Sequence, residues 1–394
     1  MSYPRLLLLS IGTFLLALGA VAQQVPAPRG IDLKAADGTL LKASYFAAAK
    51  PGPGVLLLHQ CNRQRKVWDD LAAQLASAGI NVLTFDLRGF GESGGDRYDK
   101  LTPQQQGQVQ QEKWPGDIDV VFQYLVSQPG VTRDVIGVGG ASCGVNNSIQ
   151  TARRHPAEVK SLVLLSGGTD LAGRRFLHDA SQLPALFALA DDDEFLPTLS
   201  YVPWLFAVDS NPGKKLVHHA KGGHGADMFA VHQELRGVIV DWYVTTLIQT
   251  PGHAPADKSS EPASPSAQVL NEIDTPGGAE KVARKLADAR RSDPKASIFP
   301  EAIVNLMGYE YMQAGDTKYA VEIMKLNVTA FPESPNAYDS LSDAYLADGQ
   351  KELAKQNAGK AIELLANDTT DPPERRDAIR DNAQMKLKQL GETQ

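Results

Sequence analysis

The run Val135-Ile136-Gly137-Val138-Gly139-Gly140-Ala141-Ser142-Cys143-Gly144-Val145-Asn146-Asn147 constrains the fold more than any other stretch of this 394-residue chain. A short apolar strand enters Gly-x-Ser-x-Gly, with Ser142 at its centre, and a helix-compatible segment continues to Arg154. A strand that turns at once into a helix forces the corner residue into a strained backbone conformation, and small neighbours let the chain pass close to itself. Gly140 and Gly144 relieve that crowding, while the corner lifts the Ser142 hydroxyl to the edge of a sheet. The amide of Cys143 then points at the same spot and can donate to a developing oxyanion. Gly and Ser are common residues, so it is the strand–turn–helix setting that makes Ser142 read as a nucleophile.

Residues 1–22 read as an export signal. Arg5 gives the positive start, Leu6 to Ala20 is apolar apart from Ser10, Gly12, Thr13 and Gly19, and Ala20-Val21-Ala22 is a small-x-small cleavage pattern. The run is short for a membrane span, and no twin arginine or lipid-attachment cysteine accompanies it. Cleavage near Ala22 would deliver the chain to the periplasm or the medium without a stable membrane anchor. The formal charge of −7 becomes −8 when Arg5 is removed, and no basic stripe exists to attract nucleic acid. Two cysteines, Cys61 and Cys143, exclude a disulfide-rich scaffold and a thiolate zinc site, while export leaves room for one bridge.

From Ile31 to Ile248 strands and helices alternate. Ile31–Ala36 and Thr39–Phe46 flank an Asp-Gly turn and predict an opening hairpin. The runs Val55–Leu58, Val82–Phe85, Val135–Val138, Val159–Leu165, Ala185–Leu189 and Leu216–Val217 are too uninterrupted for half-exposed strands. Helical stretches such as Trp68–Ala78, Asp117–Val126 and Asn146–Arg154 separate them, which predicts an α/β fold: a mostly parallel sheet covered on both faces. Ligands of such sheets bind at the carboxyl ends of the strands.

Four units are expected: the signal at 1–22, the α/β domain at 23–249, a Pro/Ser/Ala-rich linker at 250–268 and a helical domain at 269–394. The linker carries Pro251, Pro255, Pro262 and Pro265, with few side chains suited to burial. Beyond it the sequence repeats. Met307-Gly308-Tyr309-Glu310-Tyr311 with Gly315 and Ala320 recurs as Leu341-Ser342-Asp343-Ala344-Tyr345 with Gly349 and Ala354, at an offset of 34. That is the period of the tetratricopeptide repeat, which this region resembles. Two repeats are too few to stack alone, so helices around Ala279–Arg291 and Arg375–Leu390 are expected to cap them.

A nucleophilic serine needs a base, an acid to orient it and an oxyanion donor. Lys221-Gly222-Gly223-His224-Gly225 follows the last strand, and glycines on both sides suit a loop that presents an imidazole, so His224 is the candidate base. His59, at a strand end, reads as a residue that orders a turn. For the acid, Asp191-Asp192-Asp193-Glu194 follow a strand, with Asp170 a further candidate, and the residues alone leave the choice open.

The order Ser…Asp…His resembles the α/β-hydrolase superfamily, and the likeness covers about Ile31 to Ile248. In that fold the strand before the acid commonly reads Pro-x-Leu-x-x-x-Gly-x-x-Asp. That pattern implies Asp193 as the acid, with Ala190 on the glycine. Leu57-Leu58-His59-Gln60-Cys61-Asn62 resembles the His-Gly-x loop that supplies the second oxyanion donor, with Gln60 where that loop has glycine. The likeness implies the amide of Cys61 beside that of Cys143, and Gln60 in reserve. Asp86-Leu87-Arg88-Gly89-Phe90-Gly91-Glu92-Ser93 is similar to a loop whose role in the superfamily is structural, so Arg88 is expected to make ion pairs. The dienelactone-hydrolase-like branch is the nearest resemblance, although its usual nucleophile is cysteine and Cys143 sits one position late. In the sheet of this superfamily the strands ending at His59 and Ala141 are neighbours, which would bring Cys61 and Cys143 within disulfide reach.

The resemblance implies a serine hydrolase with the triad Ser142, Asp193 and His224, and no metal or organic cofactor. A carboxylesterase acting on small or medium acyl esters is the first expectation. A prolyl-oligopeptidase-like peptidase is the second. The third is of another class: a hydrolase scaffold whose repeats dock a peptide or protein partner. The Gln-rich segment Gln104–Gln111 and the helical domain are the candidates for shaping the pocket.

Overall fold

The computed structural model describes residues 26–253 and 263–391, so the expected export signal at 1–22 lies outside the described residues. Strands such as Gly52–Leu58 and Val159–Leu165 are apolar on both alternating faces. They are buried almost throughout, as parallel strands under helices must be. Eight strands form one sheet: β1 Arg29–Lys34, β2 Leu40–Phe46, β3 Gly52–Leu58, β4 Asn81–Phe85, β5 Val131–Ala141, β6 Val159–Leu165, β7 Ala185–Ala190 and β8 Lys215–His219. Their order is β1-β2-β4-β3-β5-β6-β7-β8. The β1–β2 hairpin and the β2–β4 pair are antiparallel, and every other pair is parallel.

Helices cover both faces. On one lie α1 Asp69–Ser77 and, after the single turn α7 Met228–Val231, α8 Glu234–Tyr243; they pack Leu71, Leu75, Ile239 and Tyr243 against the sheet. On the other, beyond the short α2 Pro103–Gln108, lie α3 Trp114–Val126, α4 Cys143–Arg154, α5 Leu171–Asp179 and α6 Thr198–Val208. Phe122, Ile149, Leu177 and Phe206 fill that layer.

The C-terminal region is helical: α9 Pro265–Ile273, α10 Gly278–Ser292, α11 Glu301–Gln313, α12 Thr317–Ala330, α13 Pro335–Ala347, α14 Lys351–Leu365 and α15 Pro373–Gly391. The pair α11–α12 begins at Glu301 and Thr317, and α13–α14 begins 34 residues later at Pro335 and Lys351. The linker expected over 250–268 differs from what is found, because α9 already begins at Pro265. Ser264 caps it by accepting from the Ala267 amide at 3.2 Å, and proline is preorganised for a first helical turn. The Ser and Pro that read as linker composition are therefore also a helix start. Leu270 and Ile273 of α9 join Val202 and Phe206 of α6 in one apolar cluster, so the two regions share a continuous core. Among the described residues no helix is long and apolar enough to cross a membrane.

Candidate active site

Ser142 follows the last residue of β5 and directly precedes α4, with φ 53° and ψ −120°. A positive φ is unfavourable for a residue with a Cβ, and here the surroundings impose it. The Ser142 amide donates to Leu165 O at 2.9 Å, and its carbonyl accepts from the Val145 amide at 2.9 Å. A Cβ on Gly140 would stand 2.2 Å from Gly144 O, and one on Gly144 would stand 2.4 Å from Leu58 O. Only glycine permits both approaches. The serine hydroxyl does not cap the helix it begins, so it is left for chemistry.

Asp193 and His224 come together from the ends of β7 and β8. His224 Nδ1 lies 2.9 Å from both Asp193 oxygens, which makes Nδ1 the donor and leaves Nε2 as the basic nitrogen. Asp193 is 1% exposed and His224 6%, so water competes little for the pair. Asp193 Oδ1 also accepts from the Phe195 amide at 2.9 Å, and the Phe195 ring stands edge-on to the imidazole at 5.8 Å.

The other carboxylates do different work. Asp192 Oδ1 accepts from the amides of Gly222 and Gly223, at 2.7 and 2.8 Å, and so pins the loop that carries His224. Those bonds, the Gly223 amide foremost, hold its carboxyl below the usual range. Asp191 pairs with His218 at 2.6 Å, and Asp170 caps α5 through the Gly173 amide.

Gln60 acts through its side chain. Its Oε1 accepts from the Ala226 amide at 2.7 Å and its Nε2 donates to His224 O at 3.3 Å, so the turn after β3 is tied to the histidine loop. No sequence signal pointed to this contact, since its partners lie far along the chain. His59 is buried with Nδ1 donating to Gln60 O and Nε2 accepting from the Leu87 amide, and burial depresses its basicity. Arg88 grips Asp117 at 2.8 Å and Asp37 at 2.6 Å. Cys61 and Cys143 form a disulfide with 5.9 Å between their α-carbons, joining the two loops that flank Ser142.

A cleft of about 610 Å³ opens over Ser142. Gln110 and Gln111 line it, as do Leu306 and Glu310 of α11. Arg174 of α5 holds α11 there. It is 1% exposed, donates from Nε to Asp274 Oδ2 at 2.6 Å, lies 2.7 Å from Glu310 through Nη2, and stacks on the Trp204 ring at 4.2 Å. Burial pushes the Glu310 carboxyl upward against the pull of Arg174. Away from the cleft, one donor atom each of His219, His232 and Glu234 lie within 4.8 Å of one another, a group that could hold a metal ion. His232 already uses both nitrogens there, on Glu234 and on Lys221 O, at 2.8 and 2.7 Å.

The family model "Serine aminopeptidase, S33" matches residues 49–196. Thiohydrolase aneE of Aspergillus aculeatus is 29% identical over 123 residues, 31% of this chain and 36% of that protein. An uncharacterized protein of Mycobacterium tuberculosis is 30% identical over 150 residues, 38% of this chain and 48% of that protein. The chain thus matches less than half the length of these relatives. Among solved structures, dienelactone hydrolase from Anabaena variabilis is 18% identical with a TM-score of 0.43, over 57% of this chain and 100% of that one. An esterase of Pyrococcus furiosus is 17% identical with a TM-score of 0.44, over 56% and 91%. The strand order, with five parallel pairs covered by helices on both faces, and the matched segment give the chain the α/β-hydrolase fold.

Proposed function

We propose that the chain is an exported serine hydrolase of carboxylesterase type. It cleaves small or medium acyl esters through an acyl-serine intermediate. The observation that carries the reading is the His224–Asp193 pair at 2.9 Å, beyond the ends of strands of the same sheet whose β5 leads into a serine held at a strand-to-helix corner. Ser142 Oγ attacks the acyl carbonyl while His224 Nε2 takes its proton. Asp193 holds the tautomer and stabilises the imidazolium. The amides of Cys143 and Cys61 receive the developing oxyanion. His224 returns the proton to the leaving alcohol, and water, activated by the same nitrogen, releases the acid.

The disulfide supports export, because such bonds persist in oxidising compartments. The 34-residue recurrence of α11–α12 in α13–α14 supports two tetratricopeptide-like repeats, capped by α10 and α15. A peptide or protein docked on those repeats is the reading of a different class. The matched family description favours a second enzymatic reading, an aminopeptidase.

Labelling of the purified protein by a fluorophosphonate tests the nucleophile: Ser142 is modified, and Ser142→Ala is not. An unlabelled wild-type protein would leave only the scaffold reading. Nitrophenyl esters of increasing chain length, run beside aminoacyl-anilides, separate esterase from peptidase.

A further inference from the structure

The cleft over Ser142 is elongated, because its floor is one face of α4. Asn146, Gln150 and Arg153 recur at i, i+4 and i+7, share that face and line the cleft together with Ser142. At 1.5 Å of rise per residue, Arg153 stands about 16 Å along the helix from Ser142. Gln111, Leu306 and Glu310 also line this trough.

We infer that this trough extends the range of the site beyond the small or medium acyl esters proposed above, to acyl chains that are long, hydrogen-bonding and anionic at the far end. The inference rests on the reading of Ser142 as the nucleophile. A polymethylene chain lying on Asn146 and Gln150 would strip water from their amides and return no hydrogen bond. A chain with its own amides or hydroxyls replaces that water. The floor is pre-arranged for this. Asn146 Oδ1 accepts from Thr169 Oγ1 at 2.6 Å, which fixes the amide and leaves Nδ2 to donate. Gln150 is fixed at both ends, donating to Asp170 at 2.8 Å and accepting from Arg153 Nε at 2.8 Å.

The charges decide the far end. Glu310 is engaged by Arg174, Asp170 by the Gly173 amide and Gln150, and Arg154 by Asp119. Arg153 donates only to the neutral Gln150, through Nε, so among the described residues that line the trough it is the guanidinium with no carboxylate paired to it. A carboxylate or another anion about 15 Å from the scissile carbonyl meets it there.

The test uses two nitrophenyl esters that differ only at that distance. Succinyl-trialanine nitrophenyl ester carries its carboxylate about 15 Å from the reacting carbonyl, counting about 3.4 Å per extended residue. Acetyl-trialanine nitrophenyl ester lacks it. The wild-type protein is expected to favour the succinyl ester in kcat/KM by about three-fold, the factor of an exposed ion pair. The ratio shrinks towards one as salt is raised to 1 M, and falls to one in Arg153→Gln while Arg153→Lys keeps part of it. Equal kcat/KM for both esters in the wild-type protein overturns the inference, as does a preference that survives Arg153→Gln or is indifferent to salt. A protein that neither hydrolyses nitrophenyl acetate nor takes the fluorophosphonate label refutes the hydrolase reading itself. One that does both without a succinyl preference refutes the trough alone.

Discussion

Arg174 of α5, 1% exposed, and Glu310 of α11, whose side chain is 12% exposed, meet at 2.7 Å. The same guanidinium holds Asp274, just past α9, so one buried cation fastens two helices of the C-terminal region to the layer beside the sheet. Because Glu310 also lines the cleft over Ser142, this ion pair couples the helical region to the candidate site.

Arg174→Met would leave two carboxylates buried without their cation. Breaking a buried pair in this way costs about 3–5 kcal/mol, and burial already works against the Glu310 charge. Urea unfolding should show the loss. The double variant Arg174→Met/Glu310→Gln should recover part of it. A single variant as stable as the wild-type protein would mean that the helices hold their place by apolar contacts alone.

Ser142→Ala should remove ester hydrolysis by on the order of a million-fold while the fold is kept, by analogy with other triad nucleophiles. Asp193→Asn should cost about ten-thousand-fold, because an amide cannot hold the imidazole in the required tautomer. Asp192→Asn keeps an acceptor for the Gly222 and Gly223 amides and should be much milder. Comparing kcat of the two Asp variants is decisive: the greater collapse in Asp192→Asn would move the acid.

The corner at Ser142 was legible because its constraint is local. Gly140 and Gly144 sit where a Cβ would strike backbone, and that spacing is written in five residues. The acid was not legible in the same way. Asp191, Asp192 and Asp193 are chemically alike, and the twist of one turn after β7 decides which reaches His224. Contacts between distant segments left no local trace either. Gln60 meets its partner 166 residues away at Ala226, and Arg174 meets Asp274 100 residues on. In α5 an arginine simply reads as part of a polar face. Pro265 misled for the opposite reason, since proline suits a linker and a first helical turn equally well.

The Cys61–Cys143 bridge spans 82 residues and joins the segments that carry both proposed oxyanion donors. In the chain-entropy account, closing a loop of that length stabilises the fold by about 4–5 kcal/mol. Alkylation of the unreduced protein should therefore modify neither cysteine in mass spectrometry. Reduction should lower the melting temperature and also kcat, since Cys143 directly follows Ser142. Two alkylated cysteines without reductant would refute the bridge. A reduced protein with full kcat would show that α4 and β3 position the donors unaided.

Asp209 closes α6 and is 2% exposed, with Oδ1 accepting from the Asn211 amide at 2.8 Å and Oδ2 without a hydrogen-bond partner. Burial pushes its carboxyl up to about 7, and its place at a helix C-terminus opposes negative charge as well. A raised acid binds its proton more tightly in the folded chain than in the unfolded one. Below about pH 4 both states are protonated and the group costs nothing. Between about pH 4 and 7 the unfolded chain ionises first, so stability falls as pH rises, and above about 7 the whole penalty is present. Converted at 1.36 kcal/mol per unit, the penalty is of the order of 4 kcal/mol. Asp209→Asn keeps the Oδ1 acceptor and removes the ionisation. It should raise the melting temperature clearly at pH 8 and hardly at pH 4.5, flattening the slope between them. An equal shift at both pH values would show that the carboxyl of Asp209 titrates in the folded protein as it does in water.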